Sequence, residues 1–176
     1  RAIEESGADC AAHGQEWRVG RARTPEERRC AAVLVGRNYR KEGYLAETSG
    51  AEEPFLTPYH ALADTEVFVA KYQGRLAGTI TVVFDSPTGL PLEGLYQAEV
   101  AALRARGRAL CEICSLAVDP DLRSGSSLVL RLFRSAALWI IRRSPVTDAL
   151  VTLKPSHRRF YERGLGFRSF GGWTRD

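Results

Sequence analysis

The stretch from Leu110 to Arg143 constrains the fold of this chain more than any other part of its sequence. It opens with LCEICSLAV, which has the length and apolar content of a buried strand. Asp119-Pro120 ends that strand, and a loop of small residues, Ser124–Ser127, precedes an amphipathic helix predicted over Leu128–Arg143. A buried strand that leads through a short loop into a long helix is typical of α/β folds.

Further elements are predicted on both sides of this unit. Thr24-Pro25-Glu26-Glu27 is typical of a helix start, with threonine as N-cap, proline at the first position and a glutamate that completes a capping box. Gln73-Gly74-Arg75 joins two β-rich runs and predicts a hairpin. Strands are predicted over residues 16–23, 66–72, 76–84, 148–153 and 167–173, and helices over residues 24–41, 92–106 and 155–163.

The 176 residues are enough for one domain with its own core, and we expect the whole chain to form it. Residues 1–15 are small and polar, which predicts a loosely ordered arm. The longest apolar run, Leu128–Ile141, is interrupted by two arginines and falls short of the roughly 20 residues that cross a bilayer. Residues 1–12 lack the apolar core of a secretory signal. These features predict a cytoplasmic protein without a membrane span.

The net charge is +4, and only three of the 25 basic residues are lysines. Arginine suits the recognition of phosphate and carboxylate groups, and a basic surface can meet nucleic acid or an acidic protein. Solvated arginines without a partner are the equally simple alternative. Aromatic residues are not interleaved with the basic ones as base-stacking surfaces require, so nucleic-acid binding is not predicted.

Cys111 and Cys114 have the spacing of a redox or zinc motif. Residues three apart on a strand point to opposite faces, and no second cysteine pair or histidine pair follows. We therefore expect reduced structural thiols and no metal site.

Two motifs carry a resemblance to the GNAT N-acyltransferase superfamily. The first is the strand end Val118-Asp119-Pro120, followed by Arg123 and the small-residue loop, which presents backbone N–H groups and a helix dipole to an anion. The second is FYERGLGF, Phe160–Phe167, with an aromatic pair near a helix end. In GNAT enzymes the first binds the pyrophosphate of coenzyme A and the second packs against pantetheine. The resemblance covers roughly residues 66–170 and implies a central, mixed and mostly antiparallel twisted sheet flanked by helices.

The small-residue loop departs from the GNAT pattern Arg/Gln-x-x-Gly-x-Gly/Ala. Arg123-Ser124-Gly125-Ser126-Ser127 has its glycine one place early and lacks the second glycine. A reduced cradle of this kind suffices for the single phosphate of a phosphopantetheine arm. The expected donor is therefore the phosphopantetheine thioester of an acyl-carrier protein, with no permanently bound cofactor.

The segment between Asp85 and Val118 resembles the N-acyl amino acid synthases of the long-chain N-acyl tyrosine type, a branch related to the acyl-homoserine lactone synthases. The resemblance implies transfer of a long-chain acyl group from acyl-carrier protein to an amino acid. A lactone synthase, a coenzyme A-dependent acetyltransferase and a non-catalytic module that binds a carrier protein are the alternatives. The matching motifs are DSPTGLPL, Leu95-Tyr96, Leu103-Arg104, Gly107-Arg108 and EICSLAV.

Glu112 is the first catalytic candidate, because a free carboxylate in an apolar strand is costly. Strand alternation predicts that it shares a face with Cys114, Leu116 and Val118. A partly desolvated carboxylate can accept the proton of an amine that attacks a thioester, directly or through a water molecule. The structural alternative is a glutamate paired with an arginine.

Three further residues are weighed for the reaction. Tyr161 matches the GNAT tyrosine that protonates the departing thiolate, with a packing aromatic as the alternative. His157 lies one turn earlier and is a catalytic candidate or a solvated, capping residue. Ser115 lacks a nucleophile-elbow motif, which favours direct transfer over a covalent intermediate.

The remaining candidates bind substrate or partner. The donor is expected to contact Leu116, Ala117 and Val118 and the loop residues Arg123, Ser124, Gly125 and Ser126. An apolar tunnel for the acyl chain is assigned to Val82, Phe84, Leu116 and Trp139, each of which is equally a core residue. Arg37, Arg40 and Lys71 can supply the cation for an acceptor carboxylate, and the sequence does not select among them. Docking of an acidic carrier protein is assigned to Arg123 and to the helical stripe Arg131, Arg134 and Arg142, for which a solvated face is the alternative.

Overall fold

The computed structural model describes residues 17–46, 53–122, 125–143 and 145–172. Among these residues, none of the helices is long and apolar enough to cross a membrane. The elements in chain order are β1 Trp17–Arg21, α1 Pro25–Lys41, a 3-10 turn Pro58–Ala61, β2 Thr65–Tyr72, β3 Arg75–Phe84, α2 Glu93–Ala105, β4 Leu110–Val118, α3 Gly125–Arg142, β5 Asp148–Leu150, a 3-10 turn Pro155–His157 and α4 Arg158–Gly164.

Local sequence signals fix the start of α1 and the turn of the first hairpin. Glu27 N donates to Thr24 Oγ1 at 3.1 Å and the Glu27 carboxylate accepts from Thr24 N at 3.3 Å, so the predicted capping box is confirmed. Gln73 and Gly74 have φ angles of 49° and 81° between β2 and β3. Two consecutive positive φ angles are characteristic of the tight two-residue turn that matches strand twist.

The sheet has the strand order β1-β2-β3-β4-β5. The first three pairings are antiparallel, and only β4 and β5, which the long helix α3 separates in the chain, pair in parallel. This architecture confirms the predicted α/β fold with a mixed, mostly antiparallel sheet.

Helices cover both faces of the sheet. α3 buries its apolar stripe, which includes Leu128, Leu132 and Phe133, against residues of β3 and β4 such as Ile80 and Ile113. On the opposite face, separate apolar clusters form under α1 and under α2. The α3 side of the sheet therefore carries one large core. The opposite side carries several smaller apolar clusters, and buried polar groups lie there as well.

A β-bulge in β4 overturns the alternation predicted for this strand. Thr79 pairs with Ala117 and Thr81 with Cys114, so Ser115 and Leu116 together stand opposite Ile80 alone. One extra residue reverses the side-chain direction of everything beyond it. Leu116 and Val118 consequently pack on the α3 side, whereas Cys114 packs on the α2 side. The prediction that Leu116 and Val118 share the face of Glu112 is therefore wrong, whereas Cys114 does share it.

Three predicted boundaries also change. α3 begins at Gly125, so the last three of the four predicted loop residues belong to the first helical turn. β5 ends at Leu150 because only three of its residues pair with β4. The final strand predicted over residues 167–173 is not formed in its described part, 167–172. There a cavity separates this segment from β5, and Phe167 N instead donates to Tyr161 O at 3.1 Å.

Candidate active site

Glu112 lies in the middle of β4, between Val83 of β3 and Leu150 of β5 in the sheet register. It is only 3% exposed, and its Oε2 accepts a hydrogen bond from the backbone N–H of Leu92 at 2.8 Å. Burial raises the pKa of this carboxyl from 4.5 to about 7, against the opposing effect of the Leu92 hydrogen bond. Within the described residues no arginine forms an ion pair with it. A carboxylate poised near neutrality is suited to accept a proton.

The titratable groups near Glu112 come from four elements. Tyr39 of α1, Tyr59 of the first 3-10 turn, Glu93 of α2 and the thiols of Cys111 and Cys114 all interact with it electrostatically. Burial is the main reason that the pKa of each thiol and of each tyrosine is raised, so all four stay protonated at neutral pH. Of the groups named here, Glu112 is therefore the one whose pKa lies near neutrality.

The bulge places Ser115 in an unusual backbone conformation next to this layer. Its φ of 50° is rare for a residue with a side chain, and such strain is found where a fold holds a functional geometry. The side chain of Ser115 lies near the hydroxyl of Tyr39, and burial together with the nearby Cys114 raises the pKa of Tyr39 to about 12. The interrupted ladder leaves backbone groups of β4 available to a ligand.

Tyr39 and Tyr59 were not singled out by the sequence. Tyr39 follows the buried Val35 by four residues on α1, which is the spacing of a packed helix face. That pattern places the ring near the sheet but does not reveal its proximity to Ser115, because the bulge at Ser115 appears only once the strands are paired.

An ionic cluster holds the start of α2 against the sheet. The guanidinium of Arg104 donates to both oxygens of Asp85, at 2.8 and 2.6 Å, and to both oxygens of Glu93, at 2.8 and 2.5 Å. Glu93 Oε1 also accepts from the backbone N–H of Leu90 at 2.6 Å. The cluster fixes the residues on either side of Leu92, whose N–H meets Glu112.

A cavity of about 460 Å³ opens between β5, the start of α2 and the segment that follows α4. Its lining includes Leu92 and Leu150, which both adjoin Glu112, and Tyr161. Apolar side chains of Leu103, Leu153 and Phe167 form much of the remaining wall, with polar residues such as Arg158 and Ser169 among the lining as well. Such a volume lies within the usual range of small-molecule sites.

Tyr161 is 8% exposed and packs edge-to-face against Phe133, Phe160 and Phe167, with centroid distances of 5.6 to 5.8 Å. Burial raises its pKa, which keeps the hydroxyl protonated. Since the same residue lines the cavity, packing and contact with a ligand are compatible. His157, by contrast, is exposed in the second 3-10 turn, where it contributes to the field around Glu42, and it does not line the cavity.

The residues expected to form the acyl tunnel do not line this cavity. Val82, Phe84, Leu116 and Trp139 pack in or against the α3-side core. Two of the expected donor contacts do not line the cavity either, since Val118 packs against the same core and Ala117 packs with Leu34 and Val35 under α1. Arg143 and Arg21 cover the rings of Phe84 and Trp139 at 5.3 and 4.1 Å.

The cations proposed for an acceptor carboxylate already have partners. Arg40 binds the carbonyl and carboxylate oxygens of Glu53 at 3.2 and 3.3 Å, and Lys71 binds the Glu27 carboxylate at 2.6 Å. Arg37 binds Asp119 at 3.0 Å. None of the three lines the cavity.

The loop residues expected to bind the donor are only partly described by the structure, whereas the stripe arginines expected to dock the carrier protein are all described. Arg123 and Ser124 lie outside the described residues, as does the side chain of Ser126, while Gly125 is the first residue of α3. Arg131, Arg134 and Arg142 are exposed along the outward face of α3. Three apolar residues of α3 are exposed as well: Leu130, Leu138 and Ile141, the last by 72%.

Comparison with known proteins places these features in a family. The family model of the N-acyl amino acid synthase FeeM matches residues 31–175. The solved structure of FeeM, an N-acyl amino acid synthase from uncultured soil microbes, is similar with a TM-score of 0.79 and 25% identity, over 92% of this chain and 83% of that chain. No curated protein matches the sequence.

More distant structures share the fold alone. A predicted acetyltransferase with acetyl-CoA from Clostridium acetobutylicum has a TM-score of 0.60 at 13% identity, over 91% of this chain and 95% of that one. Glucosamine-6-phosphate N-acetyltransferase from Arabidopsis thaliana has a TM-score of 0.54 at 13% identity, over 92% and 98% of the two chains.

Proposed function

Because this chain belongs to the N-acyl amino acid synthase family FeeM, and is thus an acyltransferase, we propose that it moves a long-chain acyl group from acyl-carrier protein to the amino group of a tyrosine-like amino acid. The observation that carries the proposal is the buried carboxyl of Glu112, which adjoins the cavity and has a pKa raised to about 7. No permanently bound cofactor is needed, since the thioester itself supplies the activated acyl group.

In the proposed reaction the amine nitrogen attacks the thioester carbon. A C–N bond forms, the C–S bond breaks, and Glu112 takes the proton that the amine loses, directly or through a water molecule. An α-amino group titrates near pH 8, so a base with a pKa near 7 is close to the match that favours proton transfer. The departing thiolate receives a proton from Tyr161 or from water.

Direct transfer is favoured over an acyl-enzyme intermediate. Ser115 has Tyr39 and Cys114 as its polar neighbours, and burial raises the pKa of both. Neither group can remove the serine proton at neutral pH, so Ser115 is not an activated nucleophile. Its strained backbone and interrupted ladder instead suit the positioning of the thioester carbonyl.

The cavity is the proposed site of the acyl chain, in place of Phe84, Trp139 and Leu116, which lie in the core. Its apolar wall suits an alkyl chain, and its proximity to Glu112 through Leu92 and Leu150 suits a reacting carbonyl at one end. The carrier protein is proposed to dock on the outward face of α3, with its phosphate at the helix start, at Arg123, Ser124, Gly125 and Ser126. We retain Arg40 and Lys71 as candidates for the acceptor carboxylate only if substrate displaces their present partners.

Incubation with long-chain acyl-carrier protein and the twenty amino acids, followed by mass analysis of the products, tests the reaction. An acylated amino acid, formed from the carrier thioester and not from acetyl-coenzyme A, is the expected result. Product from acetyl-coenzyme A alone would overturn the choice of donor, and tight carrier binding without any product would favour a non-catalytic module.

A further inference from the structure

The first turn of α2 has backbone hydrogen bonds of its own but is separated from the rest of the helix by a kink. Its N-cap residue, Leu92, supplies no side-chain cap, and Tyr96 has non-helical angles of φ −129° and ψ 38°, which break the helix after one turn. A turn that is cut off by such a kink is not stabilised by the rest of the helix. Because this turn supplies the N–H group that binds Glu112, the side chains that anchor the turn also position that carboxyl.

Arg104 lies on the far side of this kink and reaches back across it. Eleven residues separate it from Glu93, a spacing that returns to nearly the same side of a helix. Its two bidentate contacts join Glu93 of the first turn to Asp85 at the end of β3. All three side chains are between a fifth and a third exposed, so the cluster is only partly screened by solvent.

We propose that Arg104 is a positioning residue for the catalytic base: by tying Glu93 to Asp85, it holds the Leu92 N–H on Glu112 Oε2 and leaves Oε1 to accept the proton. Among the described residues, Oε2 has the Leu92 hydrogen bond and Oε1 has none. The proposal rests on the proposed role of Glu112 as general base.

Arg104 acts on the pKa of Glu112 in two ways, and both lower it. The Leu92 hydrogen bond lowers the pKa of Glu112, whereas the charge of Glu93 raises it. Arg104 maintains the first effect by fixing the turn and opposes the second by neutralising Glu93. The other titratable groups near Glu112 are Tyr39, Tyr59, Cys114 and, on the opposite face of β4, Cys111, and all are neutral near pH 7. Loss of Arg104 therefore raises the pKa of Glu112.

The test compares pH profiles of single-turnover rates with saturating acyl-carrier protein and amino acid. Arg104→Gln should move the acidic limb of the profile to higher pH. A rise of one pH unit from about 7 lowers the ionised fraction at pH 7 about fivefold, and the rate should recover as the pH approaches 9. Glu93→Gln removes the charge but keeps an oxygen that can accept from both Leu90 N–H and Arg104, so the turn stays anchored and the limb should move to lower pH.

Arg108→Gln is the matched control. Arg108 forms a bidentate pair with Asp148, at 2.5 and 2.9 Å, which joins the loop after α2 to β5 without touching Leu92 or Glu93. We expect a comparable fall in Tm but an acidic limb at the wild-type pH. Should Arg104→Gln fold poorly, Arg104→Lys and Glu93→Gln provide the same comparison.

Two outcomes separate this inference from the proposed function. If Glu112→Gln retains full activity, Glu112 is not the base, and the positioning role that rests on it fails as well, while the proposed acyl transfer stands. If Glu112→Gln abolishes turnover while Arg104→Gln and Glu93→Gln leave the limb where it is, only the positioning role is overturned. Opposite shifts in these two variants, together with a shift to higher pH in Arg104→Lys, would support it. Arg104→Lys keeps the positive charge but cannot make both bidentate contacts, so neither loss of charge alone nor a general loss of structure would produce all three results.

Discussion

Glu112 gains its chemistry from a position that costs stability. Its folded pKa of about 7 lies above the ordinary 4.5, so the folded state favours the protonated carboxyl. Below pH 4.5 both states are protonated and there is no cost. As the pH rises through the window from 4.5 to 7, the unfolded chain ionises first and the folded state loses up to about 3 kcal/mol.

Glu112→Gln should therefore stabilise the protein while it removes activity. The amide keeps an acceptor oxygen for Leu92 N–H and carries no charge into the core. Thermal unfolding at pH 8 should show a higher Tm than wild type, and the difference should vanish near pH 4. Turnover should fall about 100-fold or more. Equal losses of stability and turnover would return Glu112 to a structural role.

Tyr161→Phe tests the proton donor without disturbing the aromatic cluster. The ring contacts to Phe133, Phe160 and Phe167 are retained, so Tm should stay close to that of wild type. If the hydroxyl protonates the thiolate, kcat should fall about tenfold or more with an unchanged KM for the carrier protein. An unaltered kcat would assign that proton to water.

At the scale of elements, α3 has two distinct faces. One is buried in the main core, and the other presents three arginines and three large apolar side chains to solvent. At 100° per residue, Leu130, Arg134, Leu138, Ile141, Arg131 and Arg142 fall within an arc of about 120°. A face that is both basic and apolar fits an acidic amphipathic partner such as a carrier protein better than it fits a simple solvated surface.

Reversal of charge on this face should weaken docking alone. Arg131→Glu with Arg134→Glu is expected to raise KM for acyl-carrier protein about tenfold at low salt, with less effect at high salt. Turnover of a short acyl-pantetheine thioester should be unaffected. Arg29→Glu, at an exposed position of α1, serves as the control. Equal KM values for all three proteins would place docking elsewhere.

At the scale of the whole molecule, the cavity depends on parts that are distant in the chain. β5, the start of α2 and residues 166–172 form its walls, and none of them could enclose it alone. Among the described residues β5 pairs only with β4, so the sheet edge is open there. The space between this edge and the following segment is the site that we propose for the acyl chain.

Leu103→Trp should shorten the preferred acyl chain by filling this cavity. Leu103 lines it from α2, and a methylene gained or lost in an apolar pocket changes selectivity about tenfold or more. The ratio of kcat/KM for a shorter to a longer acyl chain should rise accordingly. Leu95→Trp, on the same helix but 45% exposed and outside the cavity, should leave the ratio unchanged.

The sequence alone determined features that depend on near neighbours in the chain. The capping box of α1, the hairpin turn at Gln73-Gly74 and the apolar face of α3 all follow from local patterns and are present in the structure. A lone carboxylate in an apolar run also predicted that Glu112 is a buried charge, and it is 3% exposed in the structure. This prediction needs only the local sequence, since desolvation of a charge is costly wherever the strand packs.

Only the tertiary structure decided which residues meet. The bulge at Ser115 arises from pairing with β3 and reverses Leu116 and Val118, which no periodicity in β4 predicts. The hydrogen bond from Leu92, the reach of Arg104 across the kink and the cavity beside β5 likewise join residues far apart in sequence. Register and burial are properties of strands and helices packed together, so the geometry of the site is set by contacts that a single segment does not contain.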